Sequence, residues 1–324
     1  MIQSFNFEIT HKDKPGELFH MLSIEAESQK EANEKAQVEL DFFSQSMEIM
    51  PTEFLDFVHI VPKINYPENF IASKDKAGFA WFPIHFDSAY KDLADIAETE
   101  DWEYHSTPIE YERPILVNYI KYTYKRLAQE NKIAISEDGR FSCFNTGLVT
   151  DNQEPIYATF EANRKKDLAP WVFKGWLRQG DRKLTVFSEL PDIARFFDDP
   201  ACLFFDSRKK VSINLQHIIK DIRDRFPEPY KSQNDYALQT TIKGSIDNTK
   251  ERVRRSYRMA IPCYYSDKIQ LLLPLCLKDP KHADLALAVE NYEDFYRVTT
   301  CLTLSMAYCD ARLIAKPDRE WLIP

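Results

Sequence analysis

The chain has 324 residues, of which 44% are hydrophobic and 29% charged, and its formal net charge is −9. This composition is typical of a globular protein with one main domain and a smaller one, and it excludes a disordered or fibrous chain. No apolar run approaches the roughly 20 residues that span a bilayer, and the start of the chain lacks a signal-peptide pattern, so we expect a cytoplasmic protein with no membrane partner.

The charge is divided unevenly along the chain. Residues 1–110 carry −14 and residues 111–324 carry +5, and all seventeen arginines lie at or beyond Arg113. A polyanion or a phosphate would therefore be bound by the C-terminal part. The six cysteines form no C-x-x-C motif, which predicts reduced and mostly buried thiols. A metal pair formed by Cys301 and Cys309 is the less favoured alternative.

Residues 1–62 are predicted to form a small ββαβ module. Residues 2–10 and 18–26 alternate apolar and polar side chains around a turn, which predicts a hairpin. Ser28 begins a capping box at the start of a helix, and residues 54–61 supply a third strand. The acidic face of the helix is typical of a solvated surface, and a docked partner protein is the alternative.

Residues 63–110 contain several prolines and are predicted to be a connector that packs on the main domain, residues 111–324. In the main domain the residue patterns predict a helix from Arg113, strands at 141–149, 155–162 and 171–177, helices at 191–197, 211–226 and 236–258, a hairpin of 269–277 with 285–290, and a last helix at 299–315. Because strands and helices come in blocks, the predicted fold class is α+β, with antiparallel strands and long helices.

Missing motifs narrow the chemistry. The seven glycines form neither G-x-G-x-x-G nor a P-loop, and no G-x-S-x-G is present. Beyond residue 110 the only histidines are His217 and His282, which excludes a multi-histidine metal site there. Any catalysis must therefore use carboxylates, arginines, tyrosines, amides and these imidazoles. The sequence identifies no cofactor.

Asn145, Thr146 and Gly147 interrupt a strand pattern, which predicts a bulge. The bulge is either structural, or it presents backbone N–H groups and the Asn145 and Thr146 side chains to an anion. Both side chains are therefore candidate ligand-binding groups.

The helix predicted at 211–226 has a polar stripe that includes Asn214, His217 and Asp221. Asp221 lies one turn after His217 and can orient its imidazole, as a general acid or base requires, although a solvated helix face gives the same pattern. Asp206 ends an apolar stretch just before this helix, where carboxylates are often placed for function. The candidate catalytic residues are thus His217, Asp221 and Asp206, and Asn214 is a candidate ligand-binding residue.

The helix predicted at 236–258 ends in Arg252, Arg254, Arg255 and Arg258. Cations at a helix C-terminus complement its dipole, which is one explanation. Four arginines in seven residues exceed that need, and arginine binds phosphate through two parallel hydrogen bonds. Arg252 and Arg255 are therefore candidate phosphate ligands.

The last predicted helix is apolar on most of its circumference, so its polar residues Tyr308 and Arg312 are expected to face the interior. A buried guanidinium needs an anion. We predict that Arg312 is buried and anion-paired, either with a carboxylate such as Asp310 or with a bound phosphate, and both Tyr308 and Arg312 are candidate ligand-binding residues.

The order of several motifs resembles an uncharacterised bacterial domain family, the domain of unknown function 3825. The matching segments include FNTGL at 144–148, ARFF at 194–197, Asp206, Asn214, HI at 217–218, RFP at 225–227, residues 252–257, LLPL at 272–275, DLAL at 284–287, TLSMAY at 303–308 and ARLI at 311–314. The resemblance covers about residues 111–322. It implies an RNA-linked role, because the family occurs together with RNA-binding modules such as cold-shock and OST-HTH-type domains. Ser305 stands where the family has an aspartate, so a function that needs this acid would be altered here.

These observations together favour an RNA- or nucleotide-binding protein, in which an RNA end-processing or other phosphate-ester activity is left open. In this hypothesis the phosphate ligands are Asn145, Thr146, Arg252, Arg255 and Arg312, and the acid–base pair is His217 with Asp221. The alternatives are a non-enzymatic scaffold that docks a protein through residues 1–62, and a nucleotide-metabolising or cofactor-binding enzyme. Convergence of the named side chains on one concave surface would favour a binding site.

Overall fold

The computed structural model describes residues 3–11, 14–26, 29–46, 58–63, 66–72, 78–83, 85–103, 112–165, 169–317 and 322. The described helices and three sheets come in separate blocks, so the predicted α+β class is confirmed. The chain divides into two compact units, residues 1–68 with 128–131, and residues 69–127 with 132–324. In the described part of the chain, no helix combines the length and the apolar character needed to cross a membrane.

In its described residues, the first unit contains one helix and a three-stranded antiparallel sheet. Along the chain its elements are β1 (Gln3–His11), β2 (Lys14–Ala26), α1 (Gln29–Ser46) and β3 (Val58–Lys63). The strand order is β2-β1-β3, and the core consists of Phe7, Ile24, Ala26, Ala32 and Ala36. The described elements of this unit follow the predicted ββαβ order. The predicted cap Ser28 and residues 54–57 of the predicted third strand lie outside the described residues.

In its described residues, the second unit contains two five-stranded sheets, of which the first has the order β4-β8-β7-β6-β5. Its elements are β4 (Ala80–Trp81), α2 (Phe86–Ile96), α3 (Pro114–Gln129), β5 (Ala134–Ile135), β6 (Phe141–Val149), β7 (Pro155–Ala162) and β8 (Trp171–Arg178). Strands β6, β7 and β8 form the predicted antiparallel meander. Aromatic rings, including those of Phe79, Tyr124, Phe144 and Phe160, pack between α3 and this sheet.

The second sheet has the order β10-β11-β12-β13-β9. The elements around it are β9 (Lys210–Ser212), α4 (Leu215–Ile222), α5 (Asp235–Arg255), β10 (Ile261–Tyr265), β11 (Lys268–Leu275), β12 (Leu285–Asn291), β13 (Phe295–Leu302) and α6 (Leu304–Arg312). One face, with Leu271, Leu273 and Val289, forms a core with α4 and α5. Because strand side chains alternate between faces, Gln270 and Ala288 lie on the opposite face, towards α6.

The helix predicted at 191–197 is wrong. The carbonyl oxygens of this segment accept hydrogen bonds from long side chains of α3, β6 and the chain between them: Asn145 Nδ2 to Pro191 at 3.4 Å, Lys132 Nζ to Ile193 at 2.9 Å, and Arg126 Nε to Arg195 at 2.8 Å. A helix over 191–197 would use the Pro191 and Ile193 carbonyls internally. Tertiary contacts therefore decide the conformation of this segment, which is extended and irregular.

Two other predicted helix boundaries need correction. Residues 210–212 form β9 rather than the start of a helix, and α4 begins only at Leu215. Residues 299–302 belong to β13, and Thr303 caps α6, its hydroxyl accepting from the Met306 N–H at 3.4 Å. In both places an apolar pattern read as helical belongs partly to a strand.

Candidate functional site

Arg312, the last residue of α6, forms a buried ion pair. Its Nε donates to both carboxylate oxygens of Glu100, at 2.8 and 3.0 Å, and the two side chains are 13% and 3% exposed. The Tyr308 hydroxyl donates to the same carboxylate at 3.0 Å. The prediction that Arg312 is buried and anion-paired is confirmed. The anion is a carboxylate from the region predicted to be a connector.

Aromatic rings enclose the same guanidinium. Its carbon lies 4.7 Å from the centre of the Tyr119 ring and 5.3 Å from that of Trp102, distances at which a ring attracts a cation. Burial raises the pKa of the Tyr119 hydroxyl, which stays protonated. Arg312 also lines a cavity of about 580 Å³ together with Lys132, Gly147 and the 192–197 segment.

The Asn145-Thr146-Gly147 bulge is closed by its own side chains. Asn145 Oδ1 accepts from the Gly147 N–H at 3.0 Å, and the fully buried Thr146 hydroxyl donates to the Ile156 carbonyl at 2.7 Å. Gly147 has φ of +73°, and a Cβ there would lie 2.5 Å from the Tyr119 hydroxyl oxygen. These contacts correspond to the structural interpretation of the bulge.

The predicted catalytic residues occupy α4 and the chain before it. The side chains of His217 and Asp221 lie outside the described residues. Asp206 lies in an irregular segment, and the Arg208 guanidinium, which donates to both of its carboxylate oxygens, lowers the pKa of Asp206 to about 2. A group so acidic carries no proton to donate near neutral pH. Asn214 is exposed, and its carbonyl accepts from the Ile218 N–H in the first turn of α4.

The arginines at the end of α5 point in different directions. Arg252 is half-buried, with Nη1 3.5 Å from Cys276 Sγ, and Arg254 pairs with Glu251 at 3.1 Å. Arg255 and Arg258 are exposed. The predicted ligand-binding residues therefore do not all converge: Asn145 and Arg312 lie near the 192–197 segment, whereas Arg252 lies beside Cys276.

A smaller cavity, of about 310 Å³, lies beside the chain that follows α5. We call it the Phe204 cavity, because Phe204 is 56% exposed at it. Leu203, Ile261, Pro262 and Ile314 contribute apolar surface, Arg258 and Lys316 are its cations, and its described lining contains no carboxylate. Sequence reasoning missed Phe204 because it considered the surrounding apolar stretch only as the segment that Asp206 ends.

Metal ligands are not grouped in the described residues, where no three His, Cys, Asp or Glu side chains lie close enough to hold an ion. No curated protein and no solved structure matches the chain. The family model described as Domain of unknown function (DUF3825) matches residues 93–321, which include Glu100, Arg312 and the whole lining of the Phe204 cavity. The chain belongs to the DUF3825 family.

Proposed function

We propose that the protein binds RNA or a nucleotide through the Phe204 cavity. The observation that carries this proposal is the composition of the cavity, which combines an exposed aromatic ring and an apolar floor with two cations and no described carboxylate. The whole chain has a net charge of −9, so this basic surface is a local exception. It lies in residues 111–324, the part of the sequence that carries net positive charge.

The apolar part of the cavity suits a nucleobase. Bases stack on exposed aromatic side chains with about 1–3 kcal/mol per base and little sequence preference. Phe204 offers such a ring in a lining that also includes the side chains of Pro262 and Ile314. The volume of about 310 Å³ is at the lower end of the range for small-molecule sites, so a single nucleotide fits better than a folded RNA element.

The cations suit the phosphates. Arg258 and Lys316 line the cavity. The Lys316 ammonium donates to the Thr99 carbonyl at 3.4 Å and has two further N–H groups. Arginine binds phosphate through two parallel hydrogen bonds, so Arg258 is the residue on which we expect binding to depend most.

Binding of a fluorescent oligoribonucleotide to the full chain, measured by anisotropy at about 50 and 200 mM salt, tests the proposal. We expect affinity to fall with salt, and each of Arg258→Gln and Lys316→Gln to weaken binding and to lower the salt slope by roughly one. The matched control is Arg164→Gln, an exposed arginine in the loop between β7 and β8, which should bind as the parent does.

Phe204→Ala separates stacking from charge. We expect it to weaken binding at both salt concentrations without changing the slope, because it removes no cation. Absence of binding at low salt, or equal affinity of the parent and the Arg258 variant, would contradict the proposal. An enzymatic role for His217 and Asp221, a partner protein on residues 1–62 and a cytoplasmic location all stay predictions.

A further inference from the structure

A cavity of about 550 Å³ lies between α3, α6 and the face of the second sheet that is turned away from α4 and α5. We call it the Asp310 cavity. Its polar lining includes Asn118, Tyr122, Arg225, Gln270, Glu290 and Asp310. The size is ordinary for a site that holds a small molecule, and the mixture of amides, carboxylates and one guanidinium is not that of a packing defect.

Asp310 differs from the other charged groups of this cavity in having no partner among the described residues. Its carboxyl makes no hydrogen bond or ion pair with another described residue. Glu290, by contrast, accepts from Gln270 at 3.3 Å and lies 3.7 Å from the Lys268 ammonium. The Arg225 Nη1 donates to the Thr300 hydroxyl at 3.2 Å and to the Cys301 carbonyl at 2.7 Å. The one cation of the described lining, Arg225, is thus hydrogen-bonded to the sheet.

Burial alone raises the pKa of Asp310 to about 7. The titratable and charged groups around it are Tyr122 of α3, Arg225, Cys263 and Tyr265 of β10, Glu290 of β12 and Cys309 of its own helix. A partly desolvated carboxylate without a donor is unfavourable, and a ligand that supplies donors would remove that cost.

We propose that the Asp310 cavity is a second ligand site, which binds a planar group with two adjacent N–H donors, as found on the guanine edge and on a guanidinium. A carboxylate accepts two parallel N–H bonds, and this geometry requires donors side by side in one plane. The rings of Tyr122 and Tyr265, which are 37% and 55% exposed at the cavity, can cover the face of such a group.

This site is independent of phosphate binding at the Phe204 cavity. Its ligand is recognised by N–H donors, and Asp310 and Glu290 together would repel a phosphate. The failure of one proposal therefore leaves the other standing, because Asp310→Asn should leave the affinity for an oligoribonucleotide without guanine unchanged.

The proposal predicts the direction of the pH dependence. Only the ionised carboxylate accepts from both donors, and a group that titrates near pH 7 is mostly protonated at pH 6 and mostly ionised at pH 8. Affinity should therefore rise by about tenfold between these two values.

Calorimetric titration of the full chain at pH 6 and pH 8 tests the site, with guanosine and agmatine as the two probes. Guanosine carries the donors on an aromatic ring system and agmatine carries them on a guanidinium, so the probe that binds identifies the source of the shared chemistry. Inosine lacks the amino donor and should bind more weakly than guanosine.

We expect Asp310→Asn to weaken binding of the successful probe at pH 8 by at least tenfold and to remove its pH dependence. Asp294→Asn, which changes an exposed carboxylate, is the matched control. Tyr122→Ala, at an exposed ring, should also weaken binding without a loss of folding. The site is refuted if neither probe binds at millimolar concentration, if the Asp310 variant binds as the parent does, or if affinity is the same at both pH values.

Discussion

Arg312 and Asp310 lie two positions apart on α6, but their surroundings are opposite. At about 100° per residue the two side chains leave the helix on different sides. Arg312 meets a carboxylate, a hydroxyl and two aromatic rings, whereas Asp310 meets a cavity in which no described group bonds to it. One helix therefore carries a charged group that is held in an ion pair and another that is not. The difference lies in whether the residues packed against that side of the helix include a complementary partner.

The paired side of the helix should be the more sensitive to mutation. Arg312→Met leaves Glu100 buried without a cation, and breaking a buried pair on one side costs about 3–5 kcal/mol. We expect a loss of this size in the free energy of unfolding, measured by urea denaturation at neutral pH. Arg297→Met, at an exposed arginine of β13, should change stability by less than about 0.5 kcal/mol.

The double variant Arg312→Met with Glu100→Gln distinguishes a lost attraction from a stranded charge. It removes both charges, so no ion stays buried without its counterion, and we expect most of the stability lost in Arg312→Met to return. A double variant as unstable as Arg312→Met would show that packing of the Arg312 side chain on Tyr119 and Trp102, and not the pair, determines the effect.

On the side of α6 that carries Asp310, removal of the charge should raise the stability instead of lowering it. Burial raises the pKa of Asp310 from 3.8 to about 7, so the folded state holds a proton that the unfolded state releases between these values. Stability therefore falls as the pH rises from about 4 through 7, by at most about 4 kcal/mol. Asp310→Asn has no proton to lose, and we expect it to melt at a higher temperature than the parent at pH 8 and at nearly the same temperature at pH 4.

Asp294→Asn, at an exposed carboxylate, is the control for this experiment, and its melting temperature should follow that of the parent across the same pH range. If parent and Asp310→Asn melt together at pH 8, the carboxylate has a partner or is fully hydrated, and the contrast between the two sides of α6 disappears.

Regular elements of this fold were predictable because their signals are local. The period-2 pattern of β6 to β8 and the helical spacing of apolar residues in α5 need only neighbouring residues. Residues 191–197 were misassigned because the side chains that bind their carbonyls come from positions about 46 to 69 residues earlier in the chain.

The candidate sites were also predictable only where the signal is local. The burial of Arg312 could be predicted because its helix is apolar on most sides. Its partner Glu100 could not, because it lies 212 positions away. Asp310 was considered only as an anion for Arg312, because a sequence shows which residues share a helix and not which cavity each one faces. The Phe204 cavity likewise combines residues from three separate segments.

The smallest loss of stability that we predict concerns only the side of α6 that carries the Arg312–Glu100 pair. In Gly147→Ala the new Cβ would lie 2.5 Å from the Tyr119 hydroxyl, so the Tyr119 ring must shift against the Arg312 guanidinium, and the alanine must also adopt φ near +73°. The left-handed backbone alone costs about 1–2 kcal/mol.

A Tyr119→Phe background removes the hydroxyl, and the nearest remaining ring atom, Cζ, is 3.8 Å from the new Cβ. In that background Gly147→Ala should therefore cost only the free energy of the left-handed backbone. Denaturant unfolding of the four proteins measures the difference. Equal costs in the two backgrounds would mean that the hydroxyl does not limit residue 147.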